Sequence, residues 1–353
     1  MNQEFSHSLF GSRAGYEAAF ERGLETLLQS GDLNLFILVL ANASFEKRLF
    51  QRLRPQLLEQ YQRLSCELFD LLHSDAGINP ANDDLQVFSQ IVKIGFGRMN
   101  VTEHCGAGPW EIQFNQLRSL RPMRNSQRRI SSIREAFLES GFHFNKPFLQ
   151  QESLWTGQLL GRHVDLYYNK YPFVDSHALL VPERGACMPQ FLDQEMHTYI
   201  SGLVKVLGAT VPGLRVGYNA FGAFASVNHL HFQLFIRDAP LPVEALRWQH
   251  NGGTDPYPVE GQVFDDAASA WSAIERLHQQ NQAYNLLYTA DRLYCLPRRK
   301  QGDFALPDWS KGFSWYEMCG GMITFERGAC RTLTEPAITA ALAGARLDDA
   351  VDE

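Results

Sequence analysis

The chain has 353 residues, of which 45% are hydrophobic and 20% are charged. This composition is that of an ordinary globular protein, and the length suggests about two domains. A formal net charge of −7 excludes a chain that is attracted as a whole to nucleic acid or to anionic membranes. A polyanionic ligand would therefore need a local cluster of arginine and lysine.

Targeting signals and cysteine spacing bear on the compartment. The first ten residues, MNQEFSHSLF, show neither a basic start nor an apolar secretory segment. The apolar run at 33 to 43 is shorter than the roughly 20 residues that span a bilayer. Six cysteines are scattered without a CxxC pair, so we expect reduced thiols rather than a zinc site. We expect a cytoplasmic protein with no membrane and no nucleic-acid partner.

Residues 1–85 are predicted to form an N-terminal helical extension. Between residues 16 and 72, apolar residues recur three and four positions apart with charges between them, which is typical of amphipathic helices. We interpret these helices as a packing layer rather than a chemical site. The segment 73 to 84, HSDAGINPANDD, is rich in turn-forming residues and is predicted to be a loop.

Two further units are predicted at 86–250 and 251–345. In the first, short β-type runs surround one helix at 188 to 208; in the second, the order strand, helix, strand, strand begins near residue 260. This order favours an α+β fold with a mainly antiparallel sheet and two related halves. Residues 346–353 are predicted to be an acidic tail. The common phosphate loops GxGxxG and GxxxxGK[ST] do not follow any predicted strand.

The segment GYNAFGAFASVNHLHFQLF at 217 to 235 carries the most specific chemical pattern. In an extended strand, His229, His231 and Gln233 face one way while Leu230 and Phe232 face the other. The apolar set can pack on a helical layer. The two imidazoles and the carboxamide are then expected to face a cleft.

Two chemistries use histidines in this arrangement. An H-x-H strand can bind zinc, but it needs further ligands, and no carboxylate or cysteine lies nearby at a suggestive spacing. Alternatively, a neutral imidazole can attack phosphorus and form a labile phosphoramidate. Its ring must be fixed in one tautomer by a hydrogen bond to the other nitrogen. The small residues before the histidines, with Ser226 as a donor, favour this second chemistry because they let a phosphate approach closely.

The H-x-H-x-Q pattern resembles the signature of the nucleotidyl-transferring branch of the histidine-triad superfamily. That branch includes galactose-1-phosphate uridylyltransferase and diadenosine tetraphosphate phosphorylase. The longer segment GYNAFGAFASVNHLHFQ looks most like the GDP-hexose phosphorylases. Segments that agree with this group in order are QFNQLRSLRP, FHFNK, HALLVPER, YPVEGQVF, YNLLYTADRLYCLPR and WYEMCGGMI, between about residues 110 and 330.

The resemblance implies a histidine-triad fold and assigns roles to the pattern. His231 would be the nucleophile that becomes nucleotidylated, and the main chain at His229 would hold its ring. Gln233 would donate to a phosphate oxygen; as a neutral amide it gives water no acid or base, which favours transfer over hydrolysis. No metal and no cofactor are expected, because the CxxC of the uridylyltransferase has no match here.

Candidate substrate contacts surround this pattern. Arg118 and Arg121 lie in the arginine-rich segment QFNQLRSLRPMRNSQRR and are expected to bind phosphates through their planar forks. Lys146 and Asn169 are weaker candidates for phosphate and ribose contacts. The resemblance places Asn219 near the ribose or the α-phosphate. Arg124 belongs to the same cluster, and Arg128 and Arg129 are expected to form a solvated face.

The expected activity is phosphorolysis of a nucleoside diphosphate hexose, most simply GDP-linked. The partners would be a nucleotide sugar and inorganic phosphate, and a homodimer is left open. Two alternatives also stay open: a dinucleoside polyphosphate phosphorylase, and a noncatalytic nucleotide-binding protein that keeps the strand for packing.

Overall fold

The fold is described from a computed structural model, which covers residues 9–73, 83–121 and 128–347. Most of the predicted loop at 73–84, most of the predicted acidic tail at 346–353, and Arg124 lie outside these residues. Within them, no helix combines the length and the apolar composition needed to cross a bilayer.

Ten α-helices are described in this part of the chain. They are α1 (Arg13–Leu28), α2 (Leu33–Phe45), α3 (Lys47–His73), α4 (Asp83–Ile94), α5 (Gln116–Ser119), α6 (Gln194–Thr210), α7 (Ala267–Gln279), α8 (Trp315–Met318), α9 (Arg327–Thr332) and α10 (Glu335–Gly344). Side-chain caps fix several starts: Asp193 accepts from the Met196 amide at α6, and Asp266 accepts from the Ser269 amide at α7.

Eleven strands in the described ranges form two sheets. They are β1 (Glu103–Ala107), β2 (Trp110–Phe114), β3 (Ser153–Leu159), β4 (Arg162–Tyr168), β5 (Ala178–Pro182), β6 (Leu214–Asn219), β7 (Phe232–Ile236), β8 (Gln262–Phe264), β9 (Ala283–Tyr288), β10 (Leu293–Arg298) and β11 (Gly321–Thr324). The large sheet has the order β3-β4-β5-β7-β6-β9-β10-β8, and the small sheet has the order β1-β2-β11.

All neighbouring strands of the large sheet pair antiparallel, whereas β11 joins β2 in parallel. The predicted α+β class with a mainly antiparallel sheet is therefore confirmed. The large sheet continues across residue 250, because β6 pairs with β9 through Asn219 and Asn285. The division at residue 250 stays a prediction, and it does not separate two sheets.

The alternation of side chains along the strands contributes to two large cores, beside a small third cluster around Phe144 and Tyr167. On β6 and β7, Val216, Tyr218, Phe232 and Leu234 join a core that also contains the N-terminal helices and α6. Phe235 points the other way into a second core that contains the small sheet. The strand thus presents Gln233 on the face opposite the helical layer.

Three expectations differ from the structure. The predicted unit 86–250 contains more than the one helix expected, because α4 crosses its predicted start and α5 lies within it. The histidine strand is shorter than predicted: β7 begins at Phe232, so His229 and His231 lie just before it, in the segment that leads from the preceding loop. The expectation of six reduced thiols is wrong for one pair, since Cys105 on β1 and Cys330 on α9 form a disulfide. Chain spacing gave no sign of this pair, because 225 positions separate the two residues.

Gly217 on β6 leaves space for one large side chain. A Cβ at this position would lie 2.4 Å from the nearest indole carbons of Trp315. The Trp315 ring is fully buried and stacks on Phe235 with ring centroids 4.8 Å apart. The glycine therefore lets an indole lie flat on the sheet.

We predict that Gly217→Ala destabilises the protein by about 1–3 kcal/mol, because the added methyl group overfills this contact. Urea unfolding at equilibrium measures the change. Gly202→Ala in α6 is the matched control, since its Cβ would meet nothing within 4 Å; it should leave stability unchanged or raise it. Equal stabilities for the two variants would contradict the packing account.

Candidate functional site

A cavity of about 750 Å³ lies beside the histidine segment. Five of the predicted site residues that line it are His231, Gln233, Asn219, Arg118 and Arg121. Asn169 and Ser226 line it as well. The structure therefore brings together most of the residues singled out in the sequence, although they come from strands, a loop and a short helix.

His231 is held in one tautomer. Its Nδ1 lies 2.8 Å from the carbonyl oxygen of His229, which can only accept a hydrogen bond, so Nδ1 carries the proton. The backbone amide of His231 donates to Oε1 of Gln190 at 2.9 Å, which fixes the main chain. Burial lowers the pKa of His231 to about 4. The ring is therefore neutral near pH 7, with its lone pair at Nε2.

The His229 ring turns away from the cavity-lining set. Its Nδ1 accepts from the Phe144 amide at 3.1 Å, so the proton lies on Nε2, which donates to the Arg184 carbonyl at 3.1 Å. Burial, with the nearby His231 as a smaller cause, lowers its pKa to about 4. Its carbonyl oxygen is the group that reaches His231, as the resemblance implies for the main chain at this position.

Gln233 has a defined amide orientation. Its Oε1 accepts from Trp315 Nε1 at 3.0 Å and lies 3.1 Å from His177 Nε2. The Phe173 amide donates to His177 Nδ1 at 3.4 Å, which favours a proton on Nε2 as a second donor to Gln233, although Asn169 Nδ2 also lies 3.2 Å from that nitrogen. Both acceptor positions of the amide oxygen are filled from inside the protein. The NH₂ group is left to face the cavity.

Asn219 repeats this arrangement one strand away. Its Oδ1 accepts from Asn285 Nδ2 at 2.7 Å and from the backbone amide of Trp315 at 2.7 Å. Asn219 is 4% exposed, and the exposed part lines the cavity. Two carboxamides therefore present donors to the same space as His231, which suits an anion such as phosphate.

Arg118 is a buried cation at the cavity wall. Its guanidinium lies 4.5 Å from the centroid of the Phe173 ring and donates to the Tyr171 carbonyl, while its Nε is buried without a partner. Among the described residues, Glu317 is the acidic side chain whose charge acts on it through space. Burial lowers its pKa to about 9, so it stays charged near pH 7. An anion in the cavity would offset this charge.

Three more cations line the cavity, and one of them, Lys170, pairs with Asp84. Arg121 is exposed, and its backbone amide donates to the Arg118 carbonyl, which places both on one turn. Lys311 reaches the same turn: its Nζ lies 3.4 Å from the Ser119 carbonyl and 4.3 Å from the centroid of the Phe325 ring. Burial lowers the pKa of Lys311. Sequence reasoning missed Lys311, because it is a single lysine in a loop far along the chain.

The other basic side chains considered in the sequence do not line the cavity where they are described. Lys146 donates to the Glu139 carbonyl at 3.1 Å and is not among the cavity-lining residues. Arg128 and Arg129 pair with Glu135 and Asp303 near the surface, in keeping with a solvated face.

Ser226 is exposed at the cavity, whereas Asn169 uses its Oδ1 to accept from the Tyr171 amide. The ligand roles of these residues stay predictions.

The residues that hold the amides were not recognised as site residues in the sequence. Trp315 and His177 begin the segments WYEMCGGMI and HALLVPER, which were quoted only as marks of family resemblance. Asn285 likewise lies in YNLLYTADRLYCLPR. Within the described ranges, no three side chains of His, Cys, Asp or Glu are grouped as metal ligands.

Comparison with known proteins gives matches that include the histidine segment. Residues 105–235 match the family model described as GDPGP1-like, N-terminal domain. The chain is similar to the GDP-hexose phosphorylases. It is 36% identical over 146 residues to human GDP-D-glucose phosphorylase 1, a match that covers 39% of this chain and 37% of that protein. It is 36% identical over 128 residues to the zebrafish (Danio rerio) protein of the same name, over 35% of this chain and 36% of that one.

GDP-L-galactose phosphorylase 1 of Arabidopsis thaliana is 30% identical over 149 residues, which cover 37% of this chain and 33% of the plant protein. The chain thus spans about a third of the length of the curated relatives it matches. Among solved structures, yeast Ap4A phosphorylase Apa2 aligns with 76% of this chain and 97% of its own, at 16% identity and a TM-score of 0.49. The expected resemblance to GDP-hexose phosphorylases is confirmed.

Acid should weaken the fold through His231. Its pKa of about 4 in the folded protein lies below the ordinary value of 6.5, so the unfolded chain binds the proton more strongly. The stability contributed by the neutral ring is present above pH 6.5 and is lost as the pH falls toward 4. At about 1.4 kcal/mol per pKa unit, a difference of about 2.5 units limits the loss to about 3.4 kcal/mol.

The measurement is the free energy of unfolding in urea between pH 7.5 and about 4.5, for the parent protein and for His231→Asn. Asparagine does not titrate, so the stability difference between the two proteins should shrink or reverse as the pH falls. Parallel pH profiles would show that His231 is not buried in its neutral form.

Proposed function

We propose that this protein is an enzyme that cleaves a nucleoside diphosphate hexose with inorganic phosphate, giving nucleoside diphosphate and hexose 1-phosphate. The observation that carries the proposal is the buried, neutral His231, whose Nδ1 is tied to the His229 carbonyl. Only its Nε2 keeps a lone pair, and the residue lines a cavity of about 750 Å³ that can hold a nucleotide sugar. The relatives named GDP-D-glucose and GDP-L-galactose phosphorylase favour a GDP-linked substrate.

The reaction has two displacements at one phosphorus. First, the Nε2 lone pair of His231 attacks the α-phosphorus, and the bond from phosphorus to the bridging oxygen breaks. Hexose 1-phosphate leaves with that electron pair. An oxygen of inorganic phosphate then attacks the same phosphorus, the N–P bond breaks, and its electron pair returns to Nε2. The hydrogen bond from Nδ1 to the His229 carbonyl disperses the charge that builds on the ring while the N–P bond exists.

The other groups act on the phosphate oxygens. The NH₂ groups of Gln233 and Asn219 donate to the oxygens on which charge increases, and Arg118 supplies the nearest buried positive charge. Arg121 and Lys311 add charge toward the exposed part of the cavity. Gln233 cannot take a proton from water, so the covalent intermediate waits for an acceptor that is already an anion, and inorganic phosphate is one.

Enzyme mixed with GDP-glucose in the absence of phosphate should release about one equivalent of glucose 1-phosphate per active site, because the first displacement needs no acceptor. The guanylyl label should stay on the protein, resist alkali and be lost in acid, as a phosphoramidate is. Adding phosphate should then release GDP. A panel of nucleotide sugars and diadenosine tetraphosphate under the same conditions identifies the preferred donor.

Variants at the two histidines separate their roles. His231→Asn should remove the label and lower kcat by several orders of magnitude, because the nucleophile is gone. His229→Asn should cost less, because its contribution to His231 is a backbone carbonyl. Label on His229, or comparable turnover by His231→Asn, would contradict the mechanism. Binding of nucleotide without any turnover in the panel would instead support a noncatalytic protein.

Arg118→Ala should lower kcat/KM by at least ~10-fold, or about 1.4 kcal/mol, because a charge-assisted phosphate contact is lost. Arg128→Ala is the matched control, since it removes an arginine of the same segment that pairs with Glu135 outside the cavity lining. Steady-state kinetics with varied phosphate and varied nucleotide sugar make the comparison. Equal effects of the two substitutions would remove Arg118 from the site.

A further inference from the structure

Trp315 contacts the side-chain amides of Gln233 and Asn219 from the side opposite the cavity. Its side-chain Nε1 donates to Oε1 of Gln233 at 3.0 Å, and its backbone amide donates to Oδ1 of Asn219 at 2.7 Å. The residue is fully buried and is not itself among the cavity-lining residues. It therefore touches the groups that would face the substrate without touching the cavity.

The indole contact decides which end of the Gln233 amide faces the cavity. A carboxamide can turn over, exchanging its oxygen for its NH₂ group at little cost in shape. An indole N–H can only donate, so it tolerates only the oxygen opposite it. His177 is a weaker constraint, because an imidazole can change tautomer and then accept from an NH₂ group. Of the two partners, Trp315 is the one that cannot accommodate a turned amide.

The packing around Trp315 makes this contact rigid. The ring stacks on Phe235 at an interplanar angle of 20° and lies against Gly217, where any side chain would collide with it. Ser314 and Glu317 cap the short helix that Trp315 begins, with Oε2 of Glu317 accepting from the Ser314 amide at 2.8 Å. Both the indole and the backbone amide are thereby fixed relative to β6 and β7.

We propose that Trp315 is a positioning residue that sets the donor face of Gln233, and with its backbone that of Asn219, toward the phosphate in the cavity. A turned Gln233 would place its carbonyl oxygen against a phosphate oxygen, so a donor contact becomes a repulsion. The proposal rests on the proposed function for its kinetic readout. Its binding readout needs only that a nucleotide enters the cavity.

The test is the substitution Trp315→Phe alone and combined with Gln233→Ala. Phenylalanine keeps an aromatic ring on Phe235 and removes the N–H. In the parent background, Trp315→Phe should weaken GDP binding, measured by calorimetry, by about 10-fold. It should lower kcat/KM for the nucleotide sugar by a similar factor. Both effects are expected because one hydrogen bond is lost and the Gln233 amide is no longer held in one orientation. In the Gln233→Ala background it should change either quantity by less than about twofold, because the amide it orients is absent.

Trp248→Phe is the matched control. Trp248 is equally buried, lies in the same core, and donates its Nε1 to the Pro242 carbonyl, yet it does not line the cavity or contact either amide. The Trp248→Phe protein should be less stable than the parent, but its affinity for GDP should not fall by a comparable factor. If Trp315→Phe fails to fold, benzothienylalanine at position 315 keeps the bicyclic ring and lacks the N–H.

The proposal is overturned if Trp315→Phe binds GDP as the parent does, or if its cost is the same with and without the Gln233 amide. The second result would mean that it acts through packing. If the parent protein binds GDP but turns over no nucleotide sugar, the proposed function fails while the binding cycle still tests Trp315.

Discussion

The cavity wall depends on the side-chain amide oxygens of Gln233 and Asn219, which accept their hydrogen bonds from groups in the protein interior. A buried polar atom must be hydrogen-bonded, and each of these oxygens receives two N–H donors, so neither can turn outward without leaving donors unpaired. Because interior donors occupy both oxygens, the NH₂ groups of Gln233 and Asn219 are left to face the cavity. Under the proposed function, two neutral side chains would then bind the phosphate, beside an imidazole that must itself stay neutral to keep its lone pair.

The buried arginines, unlike the two amides, do not have all their side-chain nitrogens hydrogen-bonded. Arg118 and Arg298 are buried, each keeps one side-chain nitrogen without a partner, and burial lowers the pKa of each to about 9. A buried cation without a paired carboxylate is costly, and Glu317 is the acidic group that acts on both. The protein keeps Arg118 charged through its contact with the Phe173 ring and one carbonyl. Under the proposed function, a phosphate in the cavity would supply the missing counter-charge for Arg118, so the fold has already met the cost of burying that charge before the ligand binds.

The sequence predicted what depends on neighbouring residues. The alternation around His231 and Gln233 showed which side chains share a face, and the antiparallel class followed from the order of short runs. The contacts between distant segments were not predictable: Trp315 reaches Asn219 across 96 positions and Gln233 across 82. The Cys105–Cys330 disulfide and the approach of Lys311 to the Ser119 carbonyl have the same cause. Local patterns reveal the face of a strand, but not which segment packs behind it.

The N-terminal helices do more than form the packing layer that their periodicity predicts. Tyr168 donates its hydroxyl to the Phe20 carbonyl, and Asn42 donates to the Asn169 carbonyl, so the layer is tied to the strand and loop that border the cavity. Asn34 and Asp84 line the cavity itself, and Asp84 pairs there with Lys170. A carboxylate repels phosphate but accepts hydrogen bonds from hydroxyl groups. Among the described lining residues, Arg118, Arg121 and Lys311 lie around one turn beside Glu317, whereas Asp84 and Lys170 pair on the helical side. Under the proposed function, this arrangement would favour phosphates near Arg118 and Lys311 and the hexose hydroxyl groups near Asn34 and Asp84.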